Sequence, residues 1–130
     1  MASILKVDTI TGVATAGSIA ITGEGNSTTT NLQQGLAKAW LRASASAAVL
    51  DGLNVSSGTD HGTGDYSFAT TNAFNNINYA NVWTVYTTAG RNAIRNDSRD
   101  ATDTLAVEVN NLSGTNVDHA TNGTSHGDLA

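Results

Sequence analysis

The stretch Leu53-Asn-Val-Ser-Ser-Gly-Thr-Asp-His-Gly-Thr-Gly-Asp-Tyr-Ser-Phe68 places two strand patterns on either side of the strongest turn signal in the chain. Apolar residues alternate with polar ones before the turn signal, at Leu53 and Val55, and again after it, at Tyr66 and Phe68. A period of two is typical of strands that are buried on one face. The stretch therefore predicts an antiparallel hairpin, around which the rest of the chain can be arranged.

The loop of this predicted hairpin contains glycine and aspartate at close spacing. Glycine adopts positive φ at little steric cost, and aspartate can accept a hydrogen bond from its own backbone. The residues concerned are Gly58, Asp60, Gly62, Gly64 and Asp65. Together they predict a structured loop between the two strands.

The same residues resemble a known module. Asn54-Val55-Ser56-Ser57, then Thr59-Asp60, then Gly62-Thr63-Gly64-Asp65-Tyr66, are similar to the carboxyl-terminal module of tail-fibre and other virion fibre proteins of marine bacteriophages. An alanine-tryptophan strand start precedes the hairpin in that module, and Ala39-Trp40 stands in its place here. The resemblance covers Leu32 to Phe68 and rests on turn and strand residues. It therefore implies a fold and a setting on a virion more than it implies a ligand.

The composition favours a folded, mainly β chain. Ser, Thr, Asn and Gly make up 57 of the 130 residues, which suits short strands and tight turns. Only 13% of the residues are charged and 39% are hydrophobic, whereas disordered chains combine high charge with little apolar content. The length predicts one domain with at most a short appendage.

Charge and cysteine content exclude several classes of protein. The net charge is −5 and only six residues are basic, which argues against nucleic-acid binding. The chain has no cysteine, so we expect oligomerisation, and not disulfides, to stabilise it. No continuous apolar run is present near the start, so we expect neither a signal peptide nor membrane insertion.

The first 25 residues predict an attachment or oligomerisation segment. Ile4 to Ile10 and Ser18 to Thr22 alternate like two short strands, joined by the small residues Thr11 to Gly17. A two-stranded unit is marginal in water, so we expect it to bury its apolar residues against a larger particle or against sister copies. Such anchors resemble those that tie virion fibres to their base. The predicted attachment residues are Ile4, Leu5, Val7, Ile10, Ile19, Ile21, Leu32 and Leu36.

Residues 26–38 predict a linker and a short helix. Glu24 to Thr30 is rich in Gly, Ser and Thr, as linkers are. Asn31 and Gln34 have the spacing of a capping box, which predicts a helix through Leu32 and Leu36. Helix propensity would continue through the following alanines, but Trp40 to Ser46 also alternates, so we expect a strand from Ala39 to Ser46.

Residues 39–130 predict an antiparallel β-sandwich of jelly-roll type. The predicted strands are Val49 to Ser56, Asp65 to Thr71, Tyr79 to Thr88, with both faces partly covered, and the half-buried strand at Leu105, Val107 and Val109. Asn72 to Asn78 and Gly90 to Asp103 predict polar, irregular loops, and the tail from Leu112 predicts a weak last strand or an ordered extension held by neighbours. The fold class is therefore mainly β, with N-terminal anchoring strands and a short helix before the sandwich.

Aromatic residues are few, and we expect them in the core or at an interface between subunits. These are Trp40, Tyr66, Phe68, Tyr79, Trp83 and Tyr86. If one is exposed beside the polar loops, it could stack on a sugar. The candidate recognition residues in those loops are Asn75, Asn76, Asn78, Arg91, Arg95 and Arg99.

The candidate chemical sites all have simpler structural interpretations. Asp60 and Asp65 could be paired carboxylates of a glycosidase, but a role in the turn explains both. His61, His119 and His126 lack a second ligand at diagnostic spacing, so a metal ion would need copies around a symmetry axis. Asp97, Asp100 and Asp103 beside the three arginines could form a calcium or anion site, yet a solvated loop with balanced charges is favoured. We expect no catalytic residue, no cofactor and no metal.

The sequence thus predicts a non-enzymatic bacteriophage structural protein made in the host cytoplasm. We expect a homotrimeric fibre, spike-tip or capsid-decoration subunit that docks on other virion proteins by its N-terminus. Its C-terminal loops would face outward, where they could meet a host-surface glycan. The alternative is a glycan-binding or glycan-cleaving β-sandwich module, which exposed aromatics along a groove would favour.

Overall fold

The computed structural model describes residues 6–11, 19–22, 29–32, 36–87, 92–96 and 100–127. The chain divides into two compact units, Met1–Gly35 and Leu36–Ala130. The boundary lies inside the stretch in which the sequence predicts a linker and a short helix.

The N-terminal unit contains one pair of short antiparallel strands. Strand β1 (Ala20–Thr22) pairs with β2 (Thr29–Asn31), and the Leu32 amide donates a hydrogen bond to the Ile19 carbonyl over 2.8 Å. The predicted partner strand, Ile4 to Ile10, is not found: residues 6–10 form no strand, and residues 4 and 5 lie outside the described residues. The partner of β1 is instead β2, whose β-branched threonines Thr29 and Thr30 belong to the predicted linker.

The predicted short helix is not confirmed: among the described residues only Leu32 is helical. Asn31 ends β2, Ala39 begins the next strand, and residues 33–35 lie outside the described part of the chain. From Ala39 onward the burial alternates strictly, with Ala39, Leu41 and Ala43 buried and the residues between them exposed. The period of two therefore decides the structure here over the helix propensity of alanine.

The C-terminal unit is built of two four-stranded antiparallel sheets. The first contains β3 (Ala39–Ala43), β4 (Val49–Leu53), β7 (Ala80–Tyr86) and β10 (Ala120–His126), in the order β4-β3-β10-β7. The second contains β5 (Val55–Gly62), β6 (Asp65–Thr70), β8 (Asn92–Asn96) and β9 (Thr104–Asn111), in the order β5-β6-β9-β8. β8 corrects the prediction of an irregular segment from Gly90 to Asp103.

A single hydrophobic core joins the two sheets, as in a β-sandwich. The rings of Phe68 from β6 and Trp83 from β7 lie 5.8 Å apart between their centroids. The buried cluster is Ala39, Leu41, Ala43, Ala47, Tyr66, Phe68, Phe74, Trp83, Leu105, Val107 and Val109. The mainly β, sandwich-like fold is confirmed. The jelly-roll order gains no support. Short turns join β3 to its neighbour β4 in the first sheet and β5 to its neighbour β6 in the second.

The predicted hairpin is confirmed as β5 and β6, but its loop is much shorter than predicted. Only Thr63 and Gly64 separate the strands, and Gly64 has φ of +66°. Gly58 lies within β5, where a Cβ atom would come within 1.9 Å of the Ala47 carbonyl oxygen. Gly58 is therefore required by close packing on the β3–β4 turn and not by a turn of its own.

Asn54 separates two strands that the sequence predicts as one. It has φ of +57°, a left-handed conformation that asparagine tolerates better than most residues. Its side chain accepts a hydrogen bond from the Asn72 amide over 2.7 Å and donates one to the Asn72 carbonyl over 3.0 Å. Because the chain turns here, Leu53 belongs to the first sheet and Val55 to the second.

The C-terminal tail forms β10, the last strand that the sequence predicts, but β10 is a central strand of the first sheet and not a weak one at its margin. β10 pairs with β3 on one side and with β7 on the other. Its sequence lacks bulky apolar residues, so the core contact comes from a neighbour: a Cβ at Gly123 would lie 2.4 Å from two ring carbons of Trp83. The indole ring thus packs directly on the β10 backbone.

Candidate functional site

The outward side of the first sheet carries the most conspicuous surface of the C-terminal unit. Because Ala39, Leu41 and Ala43 point into the core, Trp40 and Arg42 point outward. The strand registers place neighbours from β4, β10 and β7 beside them. We call this surface the outer face, and it consists of Trp40, Arg42, Asp51, Leu53, Val82, Thr84, Tyr86, Asn122 and Thr124.

The outer face exposes four large apolar side chains. Trp40 is 39% exposed, Leu53 48%, Val82 59% and Tyr86 64%. The sequence predicts both faces of β7 as partly covered, and this is wrong, because Ala80, Val82, Thr84 and Tyr86 are all exposed. Contiguous exposed apolar surface often belongs to an interaction site, so the outer face is the candidate interaction surface of the C-terminal unit.

The two charges of the outer face lie side by side without forming a salt bridge with each other. Arg42 and Asp51 are register partners on β3 and β4. The Arg42 guanidinium carbon lies 5.6 Å from the centre of the Tyr86 ring, a cation–π contact. Asp51 Oδ1 accepts a hydrogen bond from the adjacent Gly52 amide over 2.9 Å. Among the described residues, Arg95 and Glu108 form a salt bridge, and both lie on the other sheet.

A shallow groove of about 340 Å³ crosses the outer face. Its walls include Trp40, Arg42, Val82, Asn122 and Thr124. The carboxamide of Asn122 and the hydroxyl of Thr124 have no hydrogen-bond partner within the part of the chain that the structure describes. The groove can therefore accept an apolar group against the indole ring and offer hydrogen bonds at its margin.

Two tyrosines, one buried and one partly buried, tie loops to the core. The Tyr66 hydroxyl lies 3.1 Å from Asp118 Oδ1 and 3.0 Å from the Ala45 carbonyl oxygen, and the Gly64 amide donates to the same Asp118 oxygen over 2.6 Å. Burial, followed by the charge of Asp118, raises the pKa of Tyr66 above its ordinary value of 10.0. The hydroxyl therefore stays protonated at neutral pH and acts as a donor to Asp118 or Ala45.

Tyr79 has a similar role at the β8–β9 connection. Its hydroxyl lies 2.9 Å from the Ala101 carbonyl oxygen and 3.0 Å from that of Thr104. Burial, followed by the charge of Asp100, raises the pKa of Tyr79 above 10.0. Its ring also stacks on Phe74, with centroids 4.4 Å apart. Both tyrosines are thus structural donors in the resting protein.

The predicted acidic sites have structural partners. Asp60 Oδ1 accepts a hydrogen bond from the Gly62 amide over 2.9 Å, the turn role that the sequence favours. Asp100 is partly buried and accepts a hydrogen bond from the Ala106 amide over 2.7 Å, so it is fixed against β9. The sequence predicts a solvated side chain here, and this is wrong for Asp100. Asp103 is exposed, whereas Asp97 lies outside the described residues.

The histidines do not come together. His61 Nε2 lies 2.8 Å from the Ser67 hydroxyl, on the outward side of the second sheet. His119 and His126 are partly buried near and on β10. Among the described residues, no group of three or more histidine, cysteine or acidic side chains could hold a metal ion.

The candidate recognition residues fall in separate places. Asn75, Asn76 and Asn78 are exposed in one loop, where the Asn78 amide donates to Asn76 Oδ1 over 2.7 Å. Arg95 on β8 forms the salt bridge with Glu108 across to β9, so it is held by its own chain. Arg91 and Arg99 lie outside the described residues.

The predicted attachment residues that the structure describes are mostly exposed. Val7 is 53% exposed, Ile10 58%, Ile21 52% and Leu36 54%. Ile19 and Leu32 are partly buried, and Ile4 and Leu5 lie outside the described residues. The six aromatics predicted for the core or an interface separate into a buried or partly buried group and an exposed pair, which is Trp40 and Tyr86.

The sequence does not predict that Leu53, Val82 and Asn122 belong to an exposed candidate site. Alternation shows that a strand has two different faces, but it does not show which of them meets the core. The available signal was the pair Trp40 and Arg42, an aromatic beside a charge. Its neighbours could be found only from the strand register.

Three comparisons with known proteins found no relative: no family model, no curated protein and no solved structure matches this chain. The resemblance to virion fibres therefore rests on the residues quoted for it. Within the described residues, no helix is long and apolar enough to cross a lipid bilayer.

Proposed function

We propose that this chain is a non-enzymatic structural subunit of a bacteriophage particle. It is a fibre, spike-tip or capsid-decoration protein, and three copies form the working unit. The N-terminal unit docks on another virion protein, and the polar loops of the C-terminal unit face outward. The resemblance of Leu32 to Phe68 to virion fibre modules supplies the setting, and the surface chemistry supports an assembling protein.

The exposed aliphatic side chains of the N-terminal unit carry this proposal. Val7, Ile10 and Ile21 are each more than half exposed. The strands of this unit, β1 and β2, are three residues each, and an isolated strand pair of that kind is marginal in water. Full burial of an aliphatic side chain contributes about 1.5 to 3 kcal/mol, so burying the exposed half of these three against a partner stabilises such a unit by about 2 to 4 kcal/mol in total. This supports a docking role.

Structural roles for the acidic and tyrosine side chains also support a non-enzymatic protein. Asp60 stabilises the β5–β6 turn, Asp118 holds Gly64 and Tyr66, and Asp100 holds β9. Each carboxylate is thus explained by a contact with its own chain.

Replacing Val7, Ile10 and Ile21 together with serine is expected to remove the protein from particles. The triple variant loses the apolar surface that docks, so its amount on purified particles should fall at least about tenfold, since about 1.4 kcal/mol of lost binding already gives that factor. Quantitative immunoblots of particles, with electron microscopy of labelled protein, measure the effect and show whether the protein belongs to head or tail.

The matched control is Ile77→Ser together with Leu112→Ser, which removes two exposed aliphatic side chains from the C-terminal unit. This variant should be incorporated normally. Normal incorporation of the triple variant, or the absence of the unaltered protein from particles, would contradict the proposal.

A glycan-binding module is the second candidate, and the groove of the outer face favours it. The indole of Trp40 lies beside the unpartnered polar groups of Asn122 and Thr124, an arrangement on which a sugar ring could stack and form hydrogen bonds. A glycan-binding protein would bind oligosaccharides as a monomer. A structural subunit would bury the same surface in its assembly, and titration calorimetry separates the two.

A further inference from the structure

We infer that the outer face is covered by a second copy of this chain, with Arg42 of one copy paired to Asp51 of the other. This inference rests on the proposed function, because it names the surface through which the structural subunit self-associates. It goes beyond the docking of the N-terminal unit, which involves different residues.

The outward sides of the two sheets differ in the side chains that they expose. Leu53, Trp40, Thr124 and Val82 form one row across the four strands, so three of the four large exposed apolar side chains lie in the same row. Aromatic residues and arginine, set among apolar neighbours, are the residues that contribute most to protein interfaces. The surface therefore has the composition of a protein contact.

The outward side of the second sheet lacks these properties. Thr59, Ser67 and Ala106 form one row across it, and all three are small or polar. The neighbouring charges, Arg95 and Glu108, already form a salt bridge within the chain. Ser67 and Ala106 are already buried within the chain, so this row presents no large exposed apolar side chain, whereas the outer face presents four.

The outer face also carries two opposite charges. It carries one cation and one anion, Arg42 and Asp51, on adjacent strands. Direct cross-strand neighbours normally have Cβ atoms within about 5.5 Å of each other and can pair. Here Arg42 instead lies against Tyr86, and within the described part of the chain Asp51 accepts a hydrogen bond from the adjacent Gly52 amide alone. Both charges keep their capacity for an ion pair with another molecule.

A surface with one unpaired charge of each sign is complementary to itself. In a symmetric contact, residue i of one copy meets residue j of the next, so Arg42 meets Asp51 at each junction. The same relation holds in a pair of copies and in a ring of three. A ligand carrying charge of a single sign would be attracted by one of the two residues and repelled by the other. The charge pattern thus favours a second copy over an anionic or cationic ligand.

The groove completes the fit. It lies between Trp40 on β3 and Val82 on β7, and Leu41 and Gly123 also line it. Tyr86 and Leu53 project from the two sides of the outer face. A projecting side chain from the second copy can enter the groove, which gives the interface a central apolar anchor with a polar margin.

Charge reversal in separate chains, followed by mixing, tests this inference on the full chain. Arg42→Asp gives two anions at each junction, and Asp51→Arg gives two cations. Each variant alone should dissociate at a concentration at least about tenfold above that of the unaltered chain. A mixture of the two restores opposite charges across each mixed junction. Association should therefore return fully in a pair of copies and partly in a ring of three, where one junction always joins two copies of the same variant. Native mass spectrometry with one variant isotopically labelled detects the mixed assemblies, and sedimentation gives the concentration dependence.

Two control variants keep the test specific. Arg95→Asp changes the same type of residue on the second sheet, and Ile77→Asp places a charge at an exposed apolar position outside the outer face. Both should associate as the unaltered chain does. Far-ultraviolet circular dichroism shows whether each variant keeps its strands, and Val82→Asp, which adds a charge to the β7 side of the groove, should dissociate the copies without unfolding the chain.

The outcomes separate the inference from the proposed function. Association that resists both Arg42→Asp and Val82→Asp, or a mixture that shows no recovery, would overturn the inference while leaving the virion role untouched. An unaltered chain that remains monomeric and binds oligosaccharides through Trp40 would overturn both and establish the glycan-binding alternative.

Discussion

Replacing Gly123 with valine is expected to destabilise the C-terminal unit by about 3 kcal/mol, a large part of the stability of a small domain. A Cβ at this position would lie 2.4 Å from two ring carbons of Trp83, and the indole is itself packed between the sheets. β10 also pairs with β3 and β7, so it cannot move away without breaking two strand pairings. Urea denaturation followed by tryptophan fluorescence measures the loss.

Thr124→Val is the matched control on the same strand. Its side chain lies on the outer face, so the change should alter the free energy of unfolding by less than about 0.5 kcal/mol. Adding Trp83→Leu to Gly123→Val should recover part of the loss, because the smaller side chain vacates the space. A Gly123→Val protein as stable as the unaltered chain would contradict the packing of Trp83 on the β10 backbone.

Replacing Phe68 with alanine is expected to cost about 3 to 5 kcal/mol, as large-to-small changes of a buried phenylalanine do. Phe68 is fully buried and its ring contacts Trp83 of the opposite sheet, so the cavity would open between the sheets. Leu53→Ala is the comparison, because the sequence predicts Leu53 and Phe68 as equivalent strand residues. Leu53 is 48% exposed, and its loss should cost about 1 kcal/mol or less.

Both variants are compared by chemical denaturation at low protein concentration, so that association adds little to the measured stability. Equal losses for Phe68→Ala and Leu53→Ala would mean that Leu53 is buried within its own chain. That result would contradict the assignment of Leu53 to the outer face.

Local patterns made part of this fold predictable. The β5–β6 hairpin follows from alternation on both sides of glycine and aspartate, and β9 follows from Leu105, Val107 and Val109. These signals lie within a few residues of each other. The strand start at Ala39 was predicted from the resemblance together with the alternation, against the helix propensity of the alanines that follow.

Contacts between distant parts of the chain decide what the sequence could not show. β10 has no bulky apolar residue, and its cover comes from Trp83, far away in the sequence. Asn54 looks like a strand residue until its two hydrogen bonds to Asn72 fix a left-handed backbone there. In both cases the deciding partner is outside the local window.

The candidate site was only partly predictable for the same reason. Trp40 and Tyr86 were recognised as core or interface aromatics, and the cation–π contact with Arg42 brings Tyr86 to the same surface as Trp40. Leu53 joins them only because β4 pairs with β3 in a register that places it beside Trp40. The choice between core and surface depends on which side of the sheet the second sheet covers.

The mass of the unaltered chain in solution tests the central claim most directly, because that claim is that sister copies cover the outer face. Sedimentation over a range of concentrations should show a multiple of the 13.3 kDa chain mass, with dissociation on dilution. A single species at the mass of one chain, up to the highest soluble concentration, would contradict the claim.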